Sequence, residues 1–195
     1  MDLRLFIAIE TDHAGRRAMG KLVERIRGLP GRIRWCTTEQ MHLTLSFLGT
    51  TPAEQVVEIA EAMGRAAATG GPFPFTIQGL GAFPDLERPR VFWLGVAEPS
   101  GTLLRLQQRL TDELADLGFA PESRAYAPHI TLGRVKQPDR RTNYTDELFN
   151  YLDFTAPPQM AGELKLFSSD LTSDGSVYQI VAHAALGRSG GSVQS

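Results

Sequence analysis

The chain has 195 residues, a formal net charge of −2 at pH 7, and 42% hydrophobic and 22% charged residues. This ordinary globular composition suits one sizeable core or two small packed lobes. The charge argues against a protein that coats long nucleic acid, because that mode needs many Lys and Arg residues to displace counterions. A small polyanionic end, held by a few groups, remains allowed. The single cysteine, Cys36, excludes an internal disulfide framework.

Apolar periodicity and helix caps predict the elements of the first half. They are a strand over 3–9, a helix from Thr11 or Asp12 to about residue 28, a short strand over 32–36, a strand over 41–49 and a helix from about 51 to 70. One face of the first strand should carry Leu3, Leu5, Ile7 and Ile9. This first apolar run is too short for a signal peptide or a membrane span, so we expect a cytoplasmic protein without a membrane partner.

The second half follows the same patterns. It predicts strands over 73–83 and 89–96, a helix over 100–117, a strand over 128–135, an irregular stretch with a short helix over 137–159, and strands over 162–171 and 176–186 joined by a turn at 172–175. Antiparallel hairpins interleaved with helices predict an α+β fold. We expect one domain over 1–186, a monomer, and a disordered Gly/Ser-rich tail over 187–195.

A short motif occurs twice in the chain. MHLTLSFLG at 41–49 contains His42 and Thr44, and PHITLGRV at 128–135 contains His129 and Thr131. Residues two apart on a strand point to the same face, so each strand should offer one imidazole and one hydroxyl to a common groove. One strand with a His and a Thr is weak evidence of function. Two strands with the same His-x-Thr-Leu pattern suggest an internal duplication and a functional site.

The other two histidines lack this setting. His13 falls in the first turn of the first helix, where a solvated surface residue is expected. His183 has no threonine two residues on, so we interpret it as structural. No Gly-rich phosphate loop follows a strand, which argues against kinase, P-loop and dinucleotide-binding folds.

Two imidazoles across a groove suit displacement at phosphorus. One can be neutral and accept a proton while the other is charged and donates one, and threonine hydroxyls can stabilise the non-bridging oxygens. Two histidines could also bind zinc, but no acidic or cysteine ligands accompany them at ligand spacing, so no metal or cofactor is expected.

The paired motifs resemble those of the 2H phosphoesterases, in particular the RNA 2′,3′-cyclic phosphodiesterases, also called 2′-5′ RNA ligases. The flanking stretches LRLFIAIE, RW at 34–35, GAFP at 81–84 and RPRVFWLGV from 88 are similar to that branch, over about residues 3–184. The resemblance implies a bilobal fold with pseudo-two-fold symmetry, two antiparallel sheets, helices outside and a central cleft. It also implies hydrolysis of 2′,3′-cyclic phosphates on RNA ends or small nucleotides, leaving a 2′-phosphate.

The resemblance carries over to His42, Thr44, His129 and Thr131 and suggests Arg134 as a phosphate ligand. Strand parity would point Arg134 at the core, so we predict a bulge or strand end near Gly133 that turns it back. Phe47 holds the matching place in the first motif. It could stack on a base, although a core position is the more usual interpretation.

Other assignments complete the hypothesis. Trp93, Phe92 and Tyr126 are candidates for stacking on bases, against the plainer interpretation that each is core. We take His129 as general base and His42 as general acid, with the opposite order nearly as acceptable. Two alternatives stay open, namely a 2′-5′ RNA ligase acting on tRNA halves and a non-catalytic protein that binds RNA ends.

Overall fold

The computed structural model describes residues 1–171, 176–187 and 191–193. Its strands are β1 (Asp2–Glu10), β2 (Gly31–Trp35), β3 (His42–Pro52), β4 (Phe73–Phe83), β5 (Val91–Ala97), β6 (His129–Pro138), β7 (Gln159–Ala161), β8 (Glu163–Leu171), β9 (Ser176–Ala185) and β10 (Ser192–Val193). Its helices are α1 (His13–Ile26), α2 (Val56–Ala67), α3 (Thr102–Ala115) and α4 (Tyr144–Leu148), with 3-10 turns at Thr38–Gln40, Ala53–Gln55 and Phe149–Tyr151. The described helices include none long and apolar enough to cross a bilayer.

The strands form two antiparallel lobes. The first has the order β10-β9-β8-β1-β3, and the second has the order β6-β5-β4-β7 with β2 also paired to β6. The lobes meet at one residue pair, Leu43 of β3 opposite Ile130 of β6. The predicted bilobal α+β fold is therefore confirmed, with the refinement that this pair joins the two predicted sheets into one curved sheet.

The helices cover the outer side of this sheet and are tied to it by polar contacts. Asp12 caps α1 by accepting from the Gly15 amide at 2.7 Å, and it also accepts from Gln159 of β7 at 3.1 Å. Helix α2 lies against β8, β9 and α3. The buried Glu113 of α3 accepts from Arg65 of α2 at 2.6 Å, which locks the two helices together.

Strand β1 is buried on both faces. Leu5, Ile7 and Ile9 lie in the main core between sheet and helices, as the alternation predicts. The other face contributes Phe6 and Ala8 to a second, small cluster, completed by Phe167, Tyr178 and Ile180. We call this set the cleft cluster, because it forms the floor of the first lobe on the side away from the helices.

Both histidine-bearing strands carry a bulge at the same place. In β3 the partners of Thr44 and Ser46 are adjacent residues of β1, so Leu45 is the extra residue. In β6 the partners of Thr131 and Gly133 are likewise adjacent residues of β5, so Leu132 is extra. The bulge predicted near Gly133 is confirmed, and the duplication extends to this irregularity.

The structure bears differently on two predicted segments near the C-terminus. The turn at 172–175 lies outside the described residues. Of the predicted disordered tail, the structure describes Gly187 and 191–193, and Ser192 and Val193 pair with His183 and Ala182 of β9. The prediction of disorder is wrong for these two residues, because the free edge of β9 offers them backbone partners.

Gly133 leaves the space that Trp35 fills. A β-carbon there would come within 2.7 Å of the Trp35 ring and 3.2 Å of the Arg34 carbonyl oxygen. We expect Gly133→Ala to lower the free energy of unfolding by about 1–3 kcal/mol, since the ring and strand β2 must shift. Denaturant unfolding measures this.

Gly28→Ala is the matched control, because nothing lies within 4 Å of a β-carbon at that position. It should leave the free energy of unfolding within about 0.5 kcal/mol of the original value. Equal effects of the two substitutions would show that the bulge tolerates a side chain.

Candidate active site

The pair Leu43 and Ile130 brings the two motifs together. Both residues are fully buried, so the side chains on either side of each must project the other way, into the cleft between the lobes. His42 and Thr44 therefore flank one side of the junction, and His129 and Thr131 flank the other, all of them half-buried. In the antiparallel register each histidine lies across from the other strand's threonine.

His42 sits on the cleft cluster. Its ring stacks on Phe6 at 4.8 Å and on Phe167 at 5.9 Å, and it meets Tyr178 edge-on at 5.4 Å between ring centroids. This burial lowers the pKa of His42 from 6.5 to about 4, although the nearby Glu10 charge and the Gln40 carbonyl raise it. His42 is therefore a neutral imidazole at pH 7.

Glu10 is the cross-strand partner of His42. Its carboxylate bonds Arg16 at 2.7 Å and also Lys165. Burial by itself would raise the pKa of Glu10, but these two cations outweigh it and the pKa is lowered. A permanent negative charge thus lies across the strand from His42, where it stabilises an imidazolium.

His129 occupies the equivalent position on β6 but has different neighbours from those of His42. Its cross-strand partner is Gly95, which brings no charge. Its Nδ1 lies 2.7 Å from the Ala127 carbonyl oxygen, which can only accept, so Nδ1 carries the proton and Nε2 is left to act on a substrate. Phe83 meets the ring edge-on at 5.0 Å and Trp93 lies at 6.4 Å.

A cavity of about 610 Å³ opens beside His129 and Thr44. This volume suits a nucleoside-sized ligand. The side of α3 with Gln107, Gln108, Thr111 and Asp112 forms a polar wall. The aromatic residues of the lining are Phe47, Phe83, Phe119 and Tyr126. The Tyr126 hydroxyl donates to the Thr44 carbonyl at 2.9 Å, which holds the loop before β6 against β3.

Phe47 and Arg134 mark opposite ends of the cleft. The bulges bring both onto the cleft face, where Phe47 pairs with Phe6, whose ring lies 6.1 Å away. Since β3 and β6 are antiparallel, Phe47 and Arg134 diverge from the junction in opposite directions. Phe47 is 61% exposed, so the expectation of a core position is wrong and the stacking role stays a prediction. Arg134 is exposed on the face that carries His129 and Thr131, as predicted.

The remaining aromatic candidates differ in their placement. Phe92 is fully buried, and its ring lies 5.8 Å from Trp35, so the prediction that it stacks on bases is wrong. Trp93, its neighbour, faces the cleft next to His129 and packs flat on Gly81. Its Nε1 is buried with no hydrogen-bond partner among the described residues.

Sequence reasoning missed Glu10, Phe83 and Tyr178. No motif signals them, because each reaches the site through strand pairing or the β4–β5 connection. His13 is exposed at the start of α1, as predicted, and His183 lies on β9 in register with Lys165.

Other features do not suggest a second centre. Within residues 1–171, 176–187 and 191–193, no group of three His, Cys, Asp or Glu side chains could hold a metal ion. A smaller cavity of about 270 Å³ lies between the α2–β4 loop and the start of α3, and no histidine lines it.

The comparison with known families agrees with this geometry. The model of the 2′-5′ RNA ligase superfamily matches residues 17–170, which is most of the chain. The chain belongs to this superfamily. The family assignment made from the paired motifs is confirmed.

Individual relatives match over nearly their full lengths. The RNA 2′,3′-cyclic phosphodiesterase of Thermotoga maritima is 36% identical over 92% of this chain and 93% of its own. Among solved structures, the protein TT0787 of Thermus thermophilus superposes with a TM-score of 0.80 at 26% identity, covering 95% of this chain and 99% of that one. E. coli LigT complexed with 3′-AMP has a TM-score of 0.70 at 26% identity, with the same coverage.

The unusual state of His42 can be measured directly. In a histidine NMR titration, the signal that disappears in His42→Gln should have a midpoint near pH 4, since aromatic packing disfavours the charged ring. A midpoint near 6.5 for that signal would contradict the packing described here.

Proposed function

We propose that this protein hydrolyses 2′,3′-cyclic phosphates on RNA ends or small nucleotides to 2′-phosphomonoesters, without a metal ion. The observation that carries the proposal is the pair of His and Thr side chains flanking the Leu43–Ile130 junction, with one histidine held neutral. Three curated relatives, 30–36% identical over most of the chain, support it, since each is named RNA 2′,3′-cyclic phosphodiesterase.

In the proposed mechanism His42 is the base. Its neutral ring takes a proton from water as the water oxygen attacks phosphorus. The imidazolium that forms is stabilised by Glu10 across the strand and by the bound phosphate itself. The hypothesis from the sequence has the roles the other way round, but a group with a pKa of about 4 carries no proton to donate at pH 7.

His129 then acts as the acid. As the bond from phosphorus to the 3′ oxygen breaks, Nε2 of protonated His129 gives that oxygen its proton, and the 2′-phosphate remains. Thr44 and Thr131 donate hydrogen bonds to the non-bridging oxygens, and Arg134 adds positive charge where negative charge builds up. The two histidines exchange protonation states during turnover, and water resets them.

The nucleoside occupies the 610 Å³ cavity in this proposal. Phe47 and Tyr126 line it and are the candidates for stacking on the base, while Trp93 lies beside His129 outside this lining. The solved relative complexed with 3′-AMP supports a nucleotide-sized occupant. Cytoplasmic location and a monomeric state stay predictions from the sequence.

Hydrolysis of adenosine 2′,3′-cyclic phosphate in EDTA tests the proposal. We expect turnover in the chelator and a 2′-phosphate product, identified by chromatography against both isomers. His42→Ala and His129→Ala should each lower the rate at least about a hundredfold, the usual contribution of a proton-transfer group.

His13→Ala is the matched control, because it removes an exposed histidine at the start of α1 and should leave the rate unchanged. Near-normal rates in both active-site variants would overturn the mechanism. Complete loss of turnover in EDTA, restored by a divalent metal, would overturn metal independence.

The pH dependence of kcat/KM tests the protonation states that the mechanism requires. With neutral His42 as base and protonated His129 as acid, kcat/KM should fall as pH drops through about 4, where His42 of the free enzyme becomes protonated, and should also fall on the alkaline side, because the acid must carry its proton. A midpoint of the acidic fall near 6.5 in place of 4 would contradict the neutral, buried His42 on which the proposed base depends. Rates are measured from about pH 3.5 to 8, a range that includes both the protonated and the neutral form of His42. Circular dichroism at each pH verifies that the protein stays folded.

A further inference from the structure

Arg34 faces Arg134 directly across strands β2 and β6. The two residues are register partners in a regular part of the ladder, between the pairs Ile33–Val135 and Trp35–Gly133. Directly opposed side chains on an antiparallel pair lie on one face, with β-carbons about 5 Å apart. Ile33 and Trp35 pack on the core, so both arginines project to the cleft face.

This pairing is unfavourable for an isolated protein. Like charges directly opposite each other destabilise a sheet. In the described part of the chain neither arginine forms an ion pair, and both are exposed. Two unneutralised guanidinium groups side by side form a site whose natural complement is an anion with several oxygens, such as phosphate.

Arg134 lies at the edge of the proposed reaction site, and Arg34 lies beside it on the neighbouring strand β2. Thr131 pairs with Trp93 and Arg134 with Val91, which are two residues apart on β5, so Arg134 lies about 7 Å along the strand from Thr131. Burial raises the pKa of Tyr178, and the positive charges of Arg134 and Arg4 partly offset this, so these charges act on the ring that contacts His42. The nucleoside cavity has neither Arg34 nor Arg134 in its lining, and it lies at the other end of the cleft.

The two ends of the cleft match the two ends of a nucleotide. The ribose carries its base on C1′ and its 5′ substituent on C4′, across the ring oxygen from each other. With the base in the cavity and the cyclic phosphate at the histidines, the 5′ side of the ribose is directed to the arginine end.

We propose that Arg34 binds a second phosphate of the substrate, the one on the 5′ oxygen of the terminal nucleotide, and that Arg134 beside it lies between this phosphate and the cyclic one. Arg34 is then a specificity residue that makes a cyclic-phosphate end within an RNA strand a better substrate than the free nucleoside cyclic phosphate. This inference rests on the proposed function and adds the substrate class to it.

Adenosine 2′,3′-cyclic phosphate with and without a 5′-phosphate tests the inference, because the two substrates differ only in the second phosphate. The unmodified protein should show a kcat/KM about tenfold higher for the 5′-phosphorylated substrate. Arg34→Gln should remove most of this preference, lowering kcat/KM about tenfold on that substrate and no more than about threefold on the other. Arg34→Lys should restore part of it.

Arg25→Gln is the matched control, since it removes the same charge from an exposed position on α1 and should keep the preference. Thermal unfolding of each variant shows that Arg34→Gln is folded. Equal losses on both substrates, or no preference in the unmodified protein, would overturn the inference alone. Hydrolysis of neither substrate by the unmodified protein would overturn the proposed function and the inference with it.

Discussion

The site depends on one contact, the apolar pair Leu43 and Ile130 at which the two lobes of the sheet meet. Burying these two side chains in the main core forces their neighbours outward, so the core itself aims the two histidines and two threonines into the cleft. Because only one pair of residues joins β3 and β6, the strands separate on either side of it and leave room for a ligand. The same contact therefore stabilises the fold, orients the four polar groups and opens the space between them.

Strands β3 and β6 have the same backbone pattern, but their two histidines have different neighbours. This difference makes the two sides of the cleft chemically distinct. The register and even the bulges at Leu45 and Leu132 repeat. His42, however, lies across from Glu10 and stacks on the aromatic rings of the cleft cluster. His129 lies across from Gly95, and its Nδ1 is hydrogen-bonded to the Ala127 carbonyl oxygen. A symmetrical pair of imidazoles would share one protonation state at rest, and proton transfer at phosphorus needs two different states. Burial of His42 makes it the neutral member of the pair.

Much of this was predictable from short-range patterns. Strand alternation assigns the faces of β1 and of the two motifs, and the parity conflict at Arg134 correctly implies a bulge near Gly133. What the sequence lacks is the pairing of strands distant in the chain. Glu10 reaches His42 only because β1 pairs with β3, and Tyr178 only because β9 and β8 extend the same lobe. Phe92 and Trp93 are adjacent and both aromatic, so only the register with β6 decides which one faces the cleft.

The setting of His42 opposes stability in acid. The unfolded chain has a histidine pKa near 6.5, whereas in the folded protein it is about 4. Between these values the unfolded state binds a proton that the folded state does not, so stability falls as pH falls, by up to about 1.4 kcal/mol per pH unit. Glu10 limits this cost, because its charge favours the protonated ring, and Lys165 and Arg16 keep Glu10 ionised. The cleft cluster thus makes His42 neutral at rest, while Glu10 keeps the imidazolium attainable once a phosphate is bound.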